Sequence, residues 1–276
     1  MSDIKIIEYI DSLPSDVEVI DINWGFLDMF SDLSRFTWLY KLECDHNRLI
    51  QLDNLPSSLK ILSCKDNQLT KLDNLPRSLQ KLDCSKNQLT QLDKLPSSLL
   101  ELNCLKNQLT QLDKLPYNLK ILNCSYNKLT QLDNLPSLIG LNCSFNQITQ
   151  LNNLPLSLDM LWCSDNQIIQ LDNLSFSLRH LNCSNNQIKQ LDNLPFLLCH
   201  LDCSNNKMEN INIEYWKELT KNKKLKLLKE KISAKKIQKI WRKYWYDFYK
   251  YELIDGKYIG FCRFIESYSI INGNHI

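Results

Sequence analysis

Leu59-Lys60-Ile61-Leu62-Ser63-Cys64-Lys65-Asp66-Asn67-Gln68-Leu69-Thr70-Lys71-Leu72-Asp73-Asn74-Leu75-Pro76 is one unit of a pattern that returns every twenty residues. Cys44, Cys64, Cys84, Cys104 and Cys124 are spaced by 20, and so are Cys143, Cys163, Cys183 and Cys203. The single 19-residue step, from Cys124 to Cys143, comes from one residue lost after Pro136. Self-similarity at a short fixed period is the mark of a stacked repeat, in which each unit buries its apolar face only against its neighbours. Nine units read L-x-x-L-x-C-x-x-N-x-L-x-x-L-D-N-L-P-x-x, with an unbroken asparagine column from Asn47 to Asn206. A degenerate tenth unit precedes them: Leu13-Pro14 and Ile20-Asp21-Ile22 fit, while Trp24 and Phe26 replace the polar turn.

The spacing dictates the geometry. Apolar residues alternate within L-x-C, which predicts a short strand with one buried face. Successive strands then stack in parallel at about 4.8 Å. The asparagine side chain closes each strand by bonding backbone groups of an interior turn. Leu72, Leu75 and their equivalents fill the core from the return side, and the proline keeps that return extended, because the residue before proline avoids the helical region. The columns have structural readings. One thiol per turn, facing the core, is a small buried hydrophobe, since zinc sites need paired cysteines converging on one point. The aspartates Asp53, Asp73, Asp93, Asp113, Asp133, Asp172 and Asp192 are read as bonding a backbone N–H in the return turn. The glutamines at 51, 91, 111, 131, 150, 170 and 190 are read as a side-chain amide ladder.

This pattern resembles the leucine-rich-repeat family over residues 13–212. The short unit with L-P in its return is similar to the bacterial-effector subclass, and the cysteine and L-D-N-L-P features to repeat proteins of giant DNA viruses. The resemblance implies an α/β-type repeat solenoid with a parallel concave β-sheet and an extended, non-helical convex side. It also implies a protein-binding scaffold, set in the host cytoplasm for a viral member.

Most outward positions of the strands are small and polar, including Ser85, Ser125, Ser144, Ser164, Asn103, Asn123 and Asn142. Larger groups stand out in the middle and C-terminal units: Tyr126, Phe145, Trp162, His180 and His200. Exposed aromatics on a rigid support are the usual makings of an interface hot spot, so these five residues are the expected protein-binding site. The N-terminal units are more charged there, with Lys41, Glu43, Asp45, Lys81, Asp83 and Glu101.

Four segments follow: an N-terminal cap with the degenerate repeat (1–40), the repeats (41–212), a basic segment (213–250) and a C-terminal piece (251–276). Residues 1–216 hold 18 Lys/Arg against 25 Asp/Glu, whereas 217–243 hold 12 against 2. The basic segment lacks Gly and Pro and reads as a helical cap with Ile237, Trp241, Trp245 and Phe248 on one face. Ile237, Gln238, Trp241 and Arg242 resemble the opening of an IQ motif, which implies a calmodulin-like partner; Lys243 and Asp247 depart from that pattern. Binding of nucleic acid or anionic membrane by the lysines is the other reading of the tail. Asp255-Gly256 between strand-like residues predicts a type I′ hairpin.

Several functions are argued against. Glycine is scarce, at five, and leaves no Gly-rich nucleotide loop. The four histidines form no triad or metal-spacing constellation, so the sequence predicts no enzyme, no cofactor and no small-molecule substrate. Roughly 64 residues follow the repeats, and Cys262 there has no adjacent His or Asp. No apolar run approaches the roughly 18 residues of a membrane span. Asp3 and Glu8 interrupt the N-terminus, which argues against a secretory leader and for reduced thiols in a cytoplasmic setting.

Overall fold

A computed structural model describes residues 3–29, 32–191, 194–195, 197–208 and the backbone of 253–254 and 257–258. The chain has two compact units, residues 1–211 and 212–276. The first unit begins with α1 (Asp3–Ser12) and β1 (Val19–Asp21). Nine three-residue strands follow: β2 (Lys41–Glu43), β3 (Ile61–Ser63), β4 (Lys81–Asp83), β5 (Glu101–Asn103), β6 (Ile121–Asn123), β7 (Gly140–Asn142), β8 (Met160–Trp162), β9 (His180–Asn182) and β10 (His200–Asp202). They form one ten-stranded sheet in sequence order, every neighbouring pair parallel. In the second unit β11 (Leu253–Ile254) pairs antiparallel with β12 (Lys257–Tyr258). The helical cap expected over 213–250, with its IQ-like residues, lies outside the described residues. No described helix is long and apolar enough to cross a membrane.

The register follows the leucines. Leu42 faces Leu62, then Leu82, Leu102, Leu122, Leu141, Leu161 and Leu181, all of them buried. Burying a leucine side chain contributes roughly 1.5–3 kcal/mol, and the repeat delivers that gain at several positions per turn. The thiols of Cys44, Cys64, Cys84, Cys104 and Cys124 lie beside this column and donate to the carbonyl of the third strand residue one turn on, at 3.1–3.5 Å. Asparagine closes each turn as the sequence requires. Asn67 Nδ2 donates to the carbonyls of Cys44 and Cys64 at 3.0 Å, and its Oδ1 accepts from Leu49 N–H. Each asparagine thus ties two successive turns together.

The 19-residue unit keeps this register by tightening its return. In the 20-residue units the leucine three positions after Pro donates back to that proline's carbonyl, as in Leu119 N–H to Pro116 O at 3.0 Å. In the short unit Leu138 N–H reaches Pro136 O, two residues back, at 2.6 Å. The missing residue is absorbed there, and Leu122 still faces Leu141.

Two column readings need correction. Asp53, Asp93, Asp113 and Asp133 stand exposed at the surface, and among the described residues no backbone N–H bonds their carboxylates. Asp73 instead faces Lys94 at 3.6 Å, and Asp172 accepts from Gln170. The glutamines are exposed too, and Gln150 and Gln170 bond residues two positions along rather than one another. Exposed to solvent, these side chains do not need a ladder to satisfy their polar atoms. Within the N-terminal cap, α1 is a helix that the repeat pattern does not announce. Its Ile6 and Ile10 are buried against the first turn, and Arg35 donates to the carbonyl of Ile10 at 2.7 Å, closing the helix end.

Candidate functional site: the strand face and its turn column

Three-residue strands place their first and third residues on the face opposite the leucines. His180 and His200 are first residues on β9 and β10, and Trp162 is the third residue of β8. The imidazoles stack at 4.9 Å between centroids. Burial, the neighbouring His200 and Arg179 hold the His180 pKa down at about 3, so this ring is neutral at physiological pH. Tyr126 and Phe145 sit elsewhere: each lies in the turn just after its strand, immediately before the recurring asparagine of the unit. Their rings stack at 4.1 Å, 13° from parallel. The structure therefore separates the five expected residues into a turn pair, Tyr126 and Phe145, and a strand-face group, Trp162, His180 and His200.

The turn pair belongs to a column with an unusual backbone. His46, Asp66, Lys86, Lys106, Tyr126, Phe145, Asp165, Asn185 and Asn205 all have φ between 53 and 57°. An L-residue there pays roughly 1–2 kcal/mol. From His46 to Asn185 each is held by an inter-turn bond from its own N–H, as with Tyr126 N–H to Ser144 O at 3.0 Å and Phe145 N–H to Ser164 O at 3.0 Å. No valine, isoleucine, threonine or proline occupies the column, since branching at Cβ is excluded in this conformation. That exclusion is the signal the sequence offers for it. Along the column, side chains engage across turns: Trp24 stacks on His46 at 3.8 Å, His46 Nδ1 meets Asp66 Oδ2 at 2.8 Å, and Asn185 bonds Asp165 and Asn205.

Beside Trp162 the face is apolar in a way the sequence reading missed. Ile121 and Met160 are first residues of β6 and β8, Met160 buried, and Gly140 between them leaves no side chain at the first position of β7. Leu100 and Ile139, just before their strands, are each 38% exposed. Leucine and isoleucine disappear into a leucine-rich background, so only knowledge of the face separates these residues from the core. On the N-terminal side the face is polar. Lys81 Nζ lies 2.9 Å from Glu101 Oε1, and Lys41 Nζ 2.9 Å from Glu43 Oε1.

Asp83, third on β4, is buried and accepts from Ser85 N–H and Asn103 Nδ2, both at 2.9 Å. Burial raises its pKa to about 6, overriding these hydrogen bonds, and Asp45 adds repulsion. A carboxyl whose folded pKa lies above its unfolded value favours the fold when protonated. Its contribution is complete below about pH 4 and is lost as pH rises through about 6. The shift corresponds to about 3 kcal/mol. Comparing urea midpoints of the wild type and Asp83→Asn between pH 4 and 7 isolates it: the wild type is expected to lose more stability over that interval than the variant. Equal slopes would assign the pH dependence to other groups.

No family model and no curated protein matches the chain. Solved structures do. YopM from Yersinia enterocolitica WA-314 is 33% identical, with a TM-score of 0.66 over 72% of this chain and 49% of that one. This chain therefore spans about half the length of that protein. A Shigella effector LRR domain is 27% identical, with a TM-score of 0.54 over 60% of this chain and 77% of its own. The functional domain of InlJ from Listeria monocytogenes, described as including a cysteine ladder, is 29% identical, with a TM-score of 0.53 over 72% of this chain and 46% of that one. A ladder of buried thiols, an asparagine bonded across every turn, a strictly sequential parallel sheet and these neighbours have one common meaning: the first unit of this chain folds as a leucine-rich-repeat solenoid.

Proposed function

We propose that the chain is a non-catalytic interaction scaffold whose concave strand face docks a protein partner, with Tyr126, Phe145 and Trp162 as anchors and His180 and His200 at the border of the contact. The observation that carries this is the half-buried Ile121 and Trp162 on the strand face, with Leu100 and Ile139 each 38% exposed just before their strands, beside the stacked Tyr126–Phe145 pair. Rigid aromatics in such a patch give up little conformational entropy on binding and dominate interface energetics. Two of the similar structures, from Yersinia and Shigella, are described as effectors or belong to proteins so described, which fits a protein that acts by binding.

Affinity capture by three forms of the full chain tests this: wild type, Phe145→Ser/Trp162→Ser, and a convex control, Tyr117→Ser/Phe176→Ser. Tyr117 and Phe176 are 73% and 67% exposed on the return side. The concave variant is expected to weaken capture of the principal partner at least tenfold, in keeping with the roughly 2 kcal/mol or more of a hot-spot residue. The control is expected to retain it. Undiminished capture by the concave variant would refute the site.

A further inference from the structure

Inner turns of the solenoid have a neighbour on each side, whereas the first turn has one only, because β1 ends the sheet. Trp24 opens the turn column with φ 61° and stacks on His46 at 3.8 Å. Phe26, two residues on with φ 56°, lies under the Arg48 guanidinium, 5.4 Å from its ring centroid. Each ring thus has one face against the second turn. The remaining surface of both meets solvent, for Trp24 is 65% and Phe26 51% exposed. Gly25 between them is buried, and a Cβ there would come within 2.8 Å of Ile6 Cδ1. Helix α1 therefore closes the core through Ile6 and Ile10 and leaves the two rings outside it.

The charge around these rings is one-sided. Residues 1–50 hold ten Asp/Glu against four Lys/Arg. Asp16, Glu18, Asp21 and Asp28, on either side of the rings in the chain, are all exposed. Among the described residues no Lys or Arg forms an ion pair with any of the four. Two of the cations are engaged elsewhere: Arg35 donates to the carbonyl of Ile10 at 2.7 Å, and Lys41 lies 2.9 Å from Glu43.

We infer that this end of the solenoid is a second docking site, separate from the strand face, and that it takes an arginine-bearing peptide segment of a partner protein. A guanidinium stacks flat on an aromatic ring and pairs with carboxylates through its edge, and the first turn offers both at once. The chain already makes the stacking contact twice, with Arg48 over Phe26 and Arg35 over Phe36 at 4.3 Å. In the complex an arginine of the partner lies on the open face of Trp24, and Asp21 and Asp28 supply the carboxylates. Apolar residues beside it cover Met29 and Ile50, which are both exposed. The same charge disfavours the other occupants. A second copy docked end to end brings an identical acidic surface, and a nucleic acid brings phosphates.

Fluorescence anisotropy with the full chain tests this, using three short labelled peptides of equal length: alternating Arg-Leu, alternating Lys-Leu and alternating Glu-Leu. The Arg-Leu peptide is expected to bind roughly tenfold more tightly than Glu-Leu and roughly threefold more tightly than Lys-Leu. Its affinity should fall as salt rises. Trp24→Asn/Phe26→Asn is expected to weaken it roughly tenfold while keeping the urea midpoint near wild type. Asparagine tolerates the left-handed backbone and already occupies the column at Asn185 and Asn205. Asp21→Asn/Asp28→Asn, which leaves both rings in place, is expected to weaken binding and flatten its salt dependence. Phe145→Ser/Trp162→Ser should bind the Arg-Leu peptide as wild type does, so failure here and failure of the strand-face site are told apart. Unchanged binding by Trp24→Asn/Phe26→Asn, or no binding by any peptide, would overturn the inference. So would a Glu-Leu or Lys-Leu peptide that binds as tightly as Arg-Leu. A dimer of the free chain in sedimentation that Trp24→Asn/Phe26→Asn dissociates would give this end to a second copy instead.

Discussion

Asn127→Ala is expected to lower the stability of the repeat unit by roughly 3–5 kcal/mol, a large effect for one surface-distant side chain. The magnitude follows from counting what is orphaned. Asn127 Nδ2 donates to Cys104 O, Cys124 O and Ser125 O, at 3.0, 3.1 and 3.2 Å. Each of these carbonyls keeps another donor: Asn107 Nδ2, Asn146 Nδ2 and Lys106 N–H, respectively. Their losses are modest, about 0.5–1 kcal/mol apiece. The N–H of Leu109 is different, because Asn127 Oδ1, at 3.0 Å, is its acceptor in a buried turn. Leaving it unsatisfied costs about 1–3 kcal/mol more. Asn127→Asp is expected to be at least as damaging at neutral pH, although it is isosteric. It preserves the acceptor but turns a carboxylate oxygen toward carbonyl oxygens in a buried site. Urea unfolding followed by circular dichroism reads both variants. An Asp variant more stable than the Ala variant would mean that the amide donors contribute little.

Leu122→Ala should cost about 2–5 kcal/mol, the range for a leucine removed from a packed interior. Leu122 is fully buried on β6 and faces Leu102 and Leu141. Because each turn contacts only its neighbours, the loss weakens two interfaces at once and is expected to broaden the unfolding transition as well as shift it. Thr130→Ala, on the exposed return of the same unit, is the control and should stay within about 0.5 kcal/mol of wild type. A shift as small for Leu122→Ala would contradict the packing described for the sheet.

What could be read from the sequence was whatever repeats. Leu62, Cys64 and Asn67 recur at one spacing, and each has one physical use in a stacked turn, so strand, register and inter-turn bonding follow without coordinates. What could not be read was whatever depends on side or on backbone hand. Met160 and Ile121 are apolar like the core leucines but occupy the other face, and hydropathy alone does not distinguish the two. Tyr126 and Phe145 stand out in the sequence as large outward groups, yet their left-handed backbone carries no glycine to announce it. Asp53 and Gln51 repeat nearly as faithfully as Asn67, broken only by Asn152 and Lys71, but their periodicity marks an exposed return rather than an inter-turn bond. Regular recurrence marks a structural position; it does not say which bond that position makes. The helix α1 went unread because ten residues with two buried isoleucines give too short a pattern to separate from a cap without form.

Counting reactive thiols tests the solenoid most directly. The chain has eleven cysteines. Eight of them, Cys44, Cys64, Cys84, Cys104, Cys124, Cys143, Cys163 and Cys183, are buried, whereas Cys199 is exposed and Cys203 partly so. Burial pushes these eight thiols away from the reactive thiolate, Cys143 up to about 12. With reduced, native, full-length protein at mildly alkaline pH, a thiol reagent is predicted to modify at most Cys199, Cys203 and Cys262. The other eight should become reactive only as denaturant removes the strand signal. Rapid modification of more than three thiols in the native state would contradict a stack of turns that hides its cysteines beside its leucines.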